Sequence, residues 1–201
     1  MSLAWQMRAR GYRTICVHPF DRRFYGRDVV LGNLGFEVFL GEEAFPGAAR
    51  NGLYIADVEI ARLCIELLHS ERALFLFAIT MENHGPWNLG PERRTEMDLA
   101  PGLPPMAQRA EVLNLLAGLR GGDAMLGLMA DALTRREESA LLALYGDHLP
   151  SLPLAFEQMA FTGMETDYVI WTPRHGEGLR RDLPIHSLGA AITAALDRKV
   201  V

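Results

Sequence analysis

The stretch Ala73-Leu74-Phe75-Leu76-Phe77-Ala78-Ile79-Thr80 is apolar along its length and does not alternate. A strand with one wet face shows a period of two, so a run like this predicts a central strand covered on both faces. Three more segments read as strands: the β-branched run 12–17, a buried run over 141–145, and 167–172, which Pro173 ends. Helical spacing falls between them. Asp57 opens a helix with Val58, Ala61, Ile65 and Leu68 turned inward and Glu59, Arg62, Glu66 and His69 outward. Residues 106–133 follow, with Val112, Leu115, Leu116 and Leu119 on one face, and 186–196 close the chain. This order predicts an α/β fold with a mostly parallel sheet flanked by helices.

The intervals are less regular. Residues 4–10 read as the last turns of a helix stopped at Gly11. Residues 18–53 are irregular, with a short helix or edge strand expected within 29–39. Residues 85–105 hold five prolines and predict a long loop of the kind that often serves as a lid. Gly121-Gly122 either breaks its helix or marks close packing, and Asp123 reads as a cap. Met1-Ser2-Leu3 looks like an added start, and 1–201 reads as one partial domain.

Composition removes some functions. An apolar fraction of 49% with 22% charged residues describes a chain that buries a core. A net charge of −5 without a long basic run argues against nucleic-acid binding through phosphates. Cys16 and Cys64 both lie in apolar segments and read as buried free thiols. No apolar run reaches the ~18–20 residues that span a bilayer.

In open parallel sheets ligands bind beyond the carboxyl ends of the strands. His18 follows the first strand, Met81-Glu82-Asn83-His84-Gly85-Pro86-Trp87 follows the second, and Gly146-Asp147-His148 the third. Topology would bring the imidazoles of His18, His84 and His148 to one rim. Asp147 and His148 offer a hard oxygen and a neutral nitrogen suited to a divalent ion, although the dipeptide alone is equally a polar strand-end turn. Two ligands are also too few for a stable site. Arg22, Arg23 and Arg27 beside Phe24 and Tyr25 form either a solvated loop or a phosphate or sulfate clamp. His69, His175 and His186 read as surface residues.

Taken in order, His-Pro-Phe-Asp with Phe-Tyr-Gly-Arg-Asp, then Glu-Asn-His-Gly-Pro-Trp, then Tyr-Gly-Asp-His resemble the sulfatase branch of the alkaline-phosphatase superfamily. Within it the chain is similar to lipoteichoic acid synthase-like phosphoglycerol transferases and to sulfatase-like proteins of capsular polysaccharide biosynthesis. The likeness runs over residues 11–173. It implies that Asp147 and His148 bind a divalent metal (Mn, Mg or Zn) at a site completed by residues outside this chain. It implies that His84 contacts the substrate phosphate and protonates a leaving oxygen. Arg27 and Tyr25 would hold the phosphoglycerol head, with Tyr standing where the family has Trp, and His18 would line the same rim.

The family's nucleophile, a Thr or a formylglycine, lies upstream of the segment matched here. The resemblance therefore implies the C-terminal part of a metal-dependent phospho-group transferase or phosphodiesterase of cell-surface polysaccharide synthesis, inactive by itself. Its substrate would be an anionic glycolipid or polysaccharide, and its parent protein would work outside the cytoplasm in the cell envelope. A polysaccharide sulfatase and a non-catalytic binding module of the same fold are the alternatives. A missing half of the sheet would leave a strand edge open to the absent half or to a second copy in a homodimer.

Overall fold

The computed structural model describes residues 1–70, 73–88, 105–136, 139–173 and 178–198. They fall into two compact units: Met1–Leu128 with Pro150–Thr162, and Met129–Leu149 with Gly163–Val201.

The first unit is built on strand β1, Arg13–Val17, of which Thr14, Ile15, Cys16 and Val17 are all buried. It begins after helix α1, Leu3–Ala9, whose first turn is capped by the Ser2 side chain accepting from Trp5 N–H. Gly11 follows α1 at φ +82°, a conformation that costs glycine little. A 3₁₀ turn, Phe24–Gly26, leads into α2, Arg27–Asn33, and then β2, Val38–Leu40, so the interval 29–39 holds both a helix and a strand. The small hairpin β3, Arg50–Asn51, and β4, Tyr54–Ile55, precedes α3, Asp57–Ser70, and β5, Leu74–Ala78.

The sheet order is β2-β1-β5, parallel throughout, with Ile15 opposite Val38 on one side and Leu76 on the other. The parallel sheet expected from the apolar runs is present. Its β5 is an edge strand among the described residues and is half-buried, because β1 takes the central place. Phe75 and Phe77 stack on Phe36 at ring distances of 6.0 and 5.9 Å, as period-two residues on one face do.

Two helical faces differ from expectation. On α3 the buried stripe is Ile60, Ala61 and Cys64, while Val58, Ile65 and Leu68 are half-buried. On α4, Arg109–Arg135, the buried positions of the first unit are Leu113, Ala117 and Met125, and Leu119 is exposed. Ala61 is inward as expected, and elsewhere each buried stripe is turned by about one position from the expected face, a rotation that 3.6-residue periodicity does not fix when apolar residues stand side by side. Gly121-Gly122 does not break α4; it marks close packing, and Asp123 is an exposed mid-helix residue. Beyond α4, Gln108 Oε1 accepts from Leu154 and Ala155 N–H at 3.1 and 3.4 Å. It thereby caps α5, Pro153–Gln158, which starts on a proline suited to that position.

The second unit contains β6, Leu142–Tyr145, β7, Tyr168–Trp171, and α6, Ile185–Asp197. The strands pair antiparallel, Leu142 with Trp171 and Tyr145 with Tyr168, so this pair departs from the parallel arrangement. Leu144, Tyr145 and Val169 are exposed, so the run 141–145 is not the buried strand that its composition suggests. Apolar composition marks a strand but does not record which neighbour covers it. Residues 89–104, most of the proline-rich loop, and His175 lie outside the described residues.

Candidate functional site

The site begins where β1 ends. His18 is fully buried, and its Nδ1 lies 3.0 Å from the Ile79 carbonyl just past β5. Its Nε2 lies 2.7 Å from Arg27 Nη1. A carbonyl can only accept and a guanidinium can only donate, so the pair of contacts selects one species: a neutral ring with the proton on Nδ1. Burial, with the charge of Arg27 and the nearness of His84 adding to it, holds the His18 pKa below the usual histidine value.

Arg27 reaches His18 because the chain reverses twice. The Asp21 carboxylate accepts from Arg23 N–H at 2.9 Å, forming a turn, and Tyr25 and Gly26 follow in the left-handed region at φ 57° and 63°. Positive φ at a tyrosine is strained, and such strain gathers at working sites. Arg27 then starts α2, with its guanidinium 5.5 Å from the Tyr25 ring centre and 5.6 Å from that of Phe24.

The three arginines of this segment thus separate. Arg22 pairs with Glu43 at 3.1 Å, and Arg23 pairs with Asp21 at 3.0 Å. Arg27 faces a neutral imidazole and aromatic rings, and no carboxylate among the described residues lies within ion-pairing distance of it. Among the described residues its charge has no carboxylate partner, which suits a group that meets an anion.

His84 stands on the turn after β5, exposed, with Nδ1 2.6 Å from the Gly85 carbonyl. The same carbonyl accepts from Tyr54 Oη at 2.5 Å, and the Tyr54 ring meets the His84 ring edge-on at 6.3 Å. Phe20 lies 6.0 Å from the His18 ring and 6.3 Å from that of Tyr54. His18, Arg27, Tyr25 and His84 are therefore all carried on one aromatic-lined rim of the first unit. The contact to His18 makes it a support for Arg27 rather than an exposed ligand-binding group.

Asp147 and His148 belong to the second unit, on the turn after β6. That turn is closed by Thr166 Oγ1 donating to the Gly146 carbonyl at 2.6 Å. Both side chains are exposed, with His148 Nε2 3.8 Å from Asp147 Oδ2. His148 Nδ1 faces the Leu149 carbonyl at 2.9 Å, which fixes its proton there and puts the lone pair on Nε2, the form in which histidine binds metal. The donor set fits two corners of a divalent site. No group of three or more metal-ligating side chains occurs among the described residues.

Sequence reasoning missed Asp57 and Glu82, both buried beneath the rim. A glutamate two residues before a candidate histidine is a signal only when its inward orientation is known. Cys16 and Cys64 are buried, as expected, with thiol pKa values pushed up to about 12 by burial. No described helix is long and apolar enough to cross a membrane.

Known proteins resemble this chain over most of its length. The sequence model of the sulfatase family matches residues 1–194. The capsular polysaccharide biosynthesis protein RkpI of Rhizobium meliloti is 31% identical over 169 residues, 82% of this chain and 29% of that protein. Among solved structures, the Streptococcus pyogenes phosphoglycerol transferase GacH, in complex with sn-glycerol-1-phosphate, is 25% identical at a TM-score of 0.62. That match covers 82% of this chain and 44% of GacH. The lipoteichoic acid synthase LtaP of Listeria monocytogenes shares the fold at a TM-score of 0.60 and 20% identity, over 78% of this chain and 40% of LtaP. The chain spans a third or less of the length of the curated relatives it matches.

Proposed function

The chain belongs to the sulfatase family, and from that premise we propose that it is the anion-recognising part of a phosphoglycerol or related phospho-group transferase acting on cell-surface polysaccharide. The observation that carries this reading is Arg27: a guanidinium held by a buried neutral histidine, backed by two aromatic rings, and without a carboxylate partner among the described residues. The likeness to GacH, solved with sn-glycerol-1-phosphate, and to RkpI supports the substrate class.

In this mechanism Arg27 binds non-bridging phosphoryl oxygens through its planar fork, and Tyr25 lies against the glycerol carbons. His18 keeps Arg27 aimed, since its Nε2 lone pair takes one guanidinium N–H. His84, with its Nδ1 proton held by Gly85, presents the other nitrogen to the leaving oxygen and exchanges a proton there. Asp147 and His148 would hold a divalent ion together with donors outside this chain; such an ion, when bound, supplies charge neutralisation. The nucleophile belongs to the longer protein that the relatives' lengths suggest. The likeness to a phosphoglycerol transferase supports transfer to a sugar or glycerol hydroxyl over hydrolysis of a sulfate ester. An extracytoplasmic place in the cell envelope is part of the same proposal.

The test is binding of sn-glycerol-1-phosphate to this chain, followed by NMR titration. Arg27→Ala should weaken it by about tenfold or more, the worth of one charge-assisted contact. Equal affinity for sulfate and glycerol phosphate, with no loss in Arg27→Ala, would overturn the reading.

A further inference from the structure

The chemistry above leaves two buried acids unused. Asp57, the first residue of α3, is 1% exposed and Glu82, two residues before His84, is 6% exposed. Burying two carboxylates is costly unless their oxygens find donors. Here each acid closes on the other's backbone. Asp57 N–H donates to Glu82 Oε2 at 2.5 Å, and Glu82 N–H donates to Asp57 Oδ1 at 3.4 Å. Asn51 Nδ2, from β3, donates to the remaining Glu82 oxygen. The Asp57 N–H is one of the helix-start donors that no carbonyl of its own helix reaches, so Glu82 caps α3 from another element.

Helix α4 seals this contact. A Cβ on Gly118 would lie 2.6 Å from the Glu82 carbonyl oxygen, and one on Gly121 would overlap the Glu82 carboxylate itself. Glycine at both positions is what lets the helix lie against the turn. The turn is then anchored inward by buried Met81 and by Glu82, while His84 N–H donates to the Met81 carbonyl at 2.9 Å and the His84 side chain faces outward.

We propose that Glu82 is a positioning residue for His84: its carboxylate, locked to the start of α3 and wedged by the α4 glycines, sets the turn that presents the imidazole at the rim. The proposal rests on the reading of His84 as a phosphate-facing group. The lock has a protonation signature. Burial first and the Glu82 charge second raise the Asp57 pKa to about 7. Glu82 faces Asp57 from the rim turn, neutral Asn51 comes from β3, and α4 contributes Gly118, Gly121 and Gly122 on this side. Below neutrality Asp57 holds a proton; above it its charge opposes that of Glu82 and the turn loosens.

The experiment follows the His84 Cε1–H signal of the 201-residue chain by NMR from acid to alkaline pH, with and without sn-glycerol-1-phosphate. Wild type should show a step near pH 7 that reports Asp57. Asp57→Asn, neutral and able to accept from Glu82 N–H, should abolish that step. Glu82→Gln keeps an oxygen for the Asp57 N–H, so His84 should hold its wild-type shift while the step moves to lower pH. Glu82→Ala should shift the His84 signal away from its wild-type position and weaken glycerol phosphate binding about tenfold.

A folded Glu82→Ala chain with an unchanged His84 signal would overturn the proposal. If Glu82→Ala does not fold, a step that stays put in both Asp57→Asn and Glu82→Gln overturns it instead. Failure of the functional reading looks different: binding indifferent to Arg27→Ala, with the His84 signal still following Glu82.

Discussion

His18 shows how a single buried ring is committed by its two neighbours. Its pKa lies below the usual histidine value, chiefly from burial. Between that lowered value and about 6.5 the unfolded chain binds the proton that the folded chain refuses. The stability His18 contributes is therefore complete above about pH 6.5 and is lost as pH falls through the folded pKa. His18→Gln can make the same two hydrogen bonds without titrating, so the fall in urea midpoint as pH drops below about 6.5 should flatten in that variant. Asp57 has the opposite sign. Its pKa is raised, so its contribution is present below about 3.8 and disappears as pH rises through about 7. Asp57→Asn should therefore gain on wild type in chemical-denaturation midpoint when both are compared at about pH 8. These two residues were unequally legible in the sequence. A histidine just past an apolar run announces a strand end, whereas Asp57 reads as an ordinary acidic helix start until its burial is seen.

At the scale of elements, α4 carries the sharpest contrast. Gly121 has no room for a methyl group beside Glu82, while a methyl group at Gly127 on the same helix would meet nothing within 4 Å. Gly121→Ala should cost roughly 1–3 kcal/mol, the range for overpacking. Gly127→Ala should add about 0.5–1 kcal/mol through helix propensity. Urea unfolding of the two variants checks both signs. The apolar strands β1 and β5 could be read from composition because an unbroken apolar run has few other uses. The faces of α3 and α4 were legible only in part: Ala61 and Cys64 are buried as read, but Ile60, Leu113 and Ala117 take the inward positions expected of their neighbours, and Gly121 signals proximity rather than hydrophobicity. The antiparallel pairing of β6 with β7 was hidden for another reason: direction is a property of connections, and residues 146–167 do not state theirs.

For the molecule as a whole, the sheet order leaves β5 at an edge, and among the described residues no strand pairs its outer side. An apolar strand with an open edge recruits a partner. We expect sedimentation velocity to show this chain associating as concentration rises. A monomer at all concentrations would show the edge to be covered. The family was legible in the ordered motifs around His18, Arg27, His84 and Asp147-His148 rather than in any one strand end. The support beneath His84 was not, since it joins residues 51, 57, 82, 118 and 121, which no motif links.

The missing side chains at Gly118 and Gly121 tie the histories of two distant segments together. A lineage that acquires a methyl group at position 121 must in the same step shorten the acid at 82, Gly121→Ala with Glu82→Asp, or surrender the turn that bears the imidazole. Helix and loop are in that sense inherited as a single part.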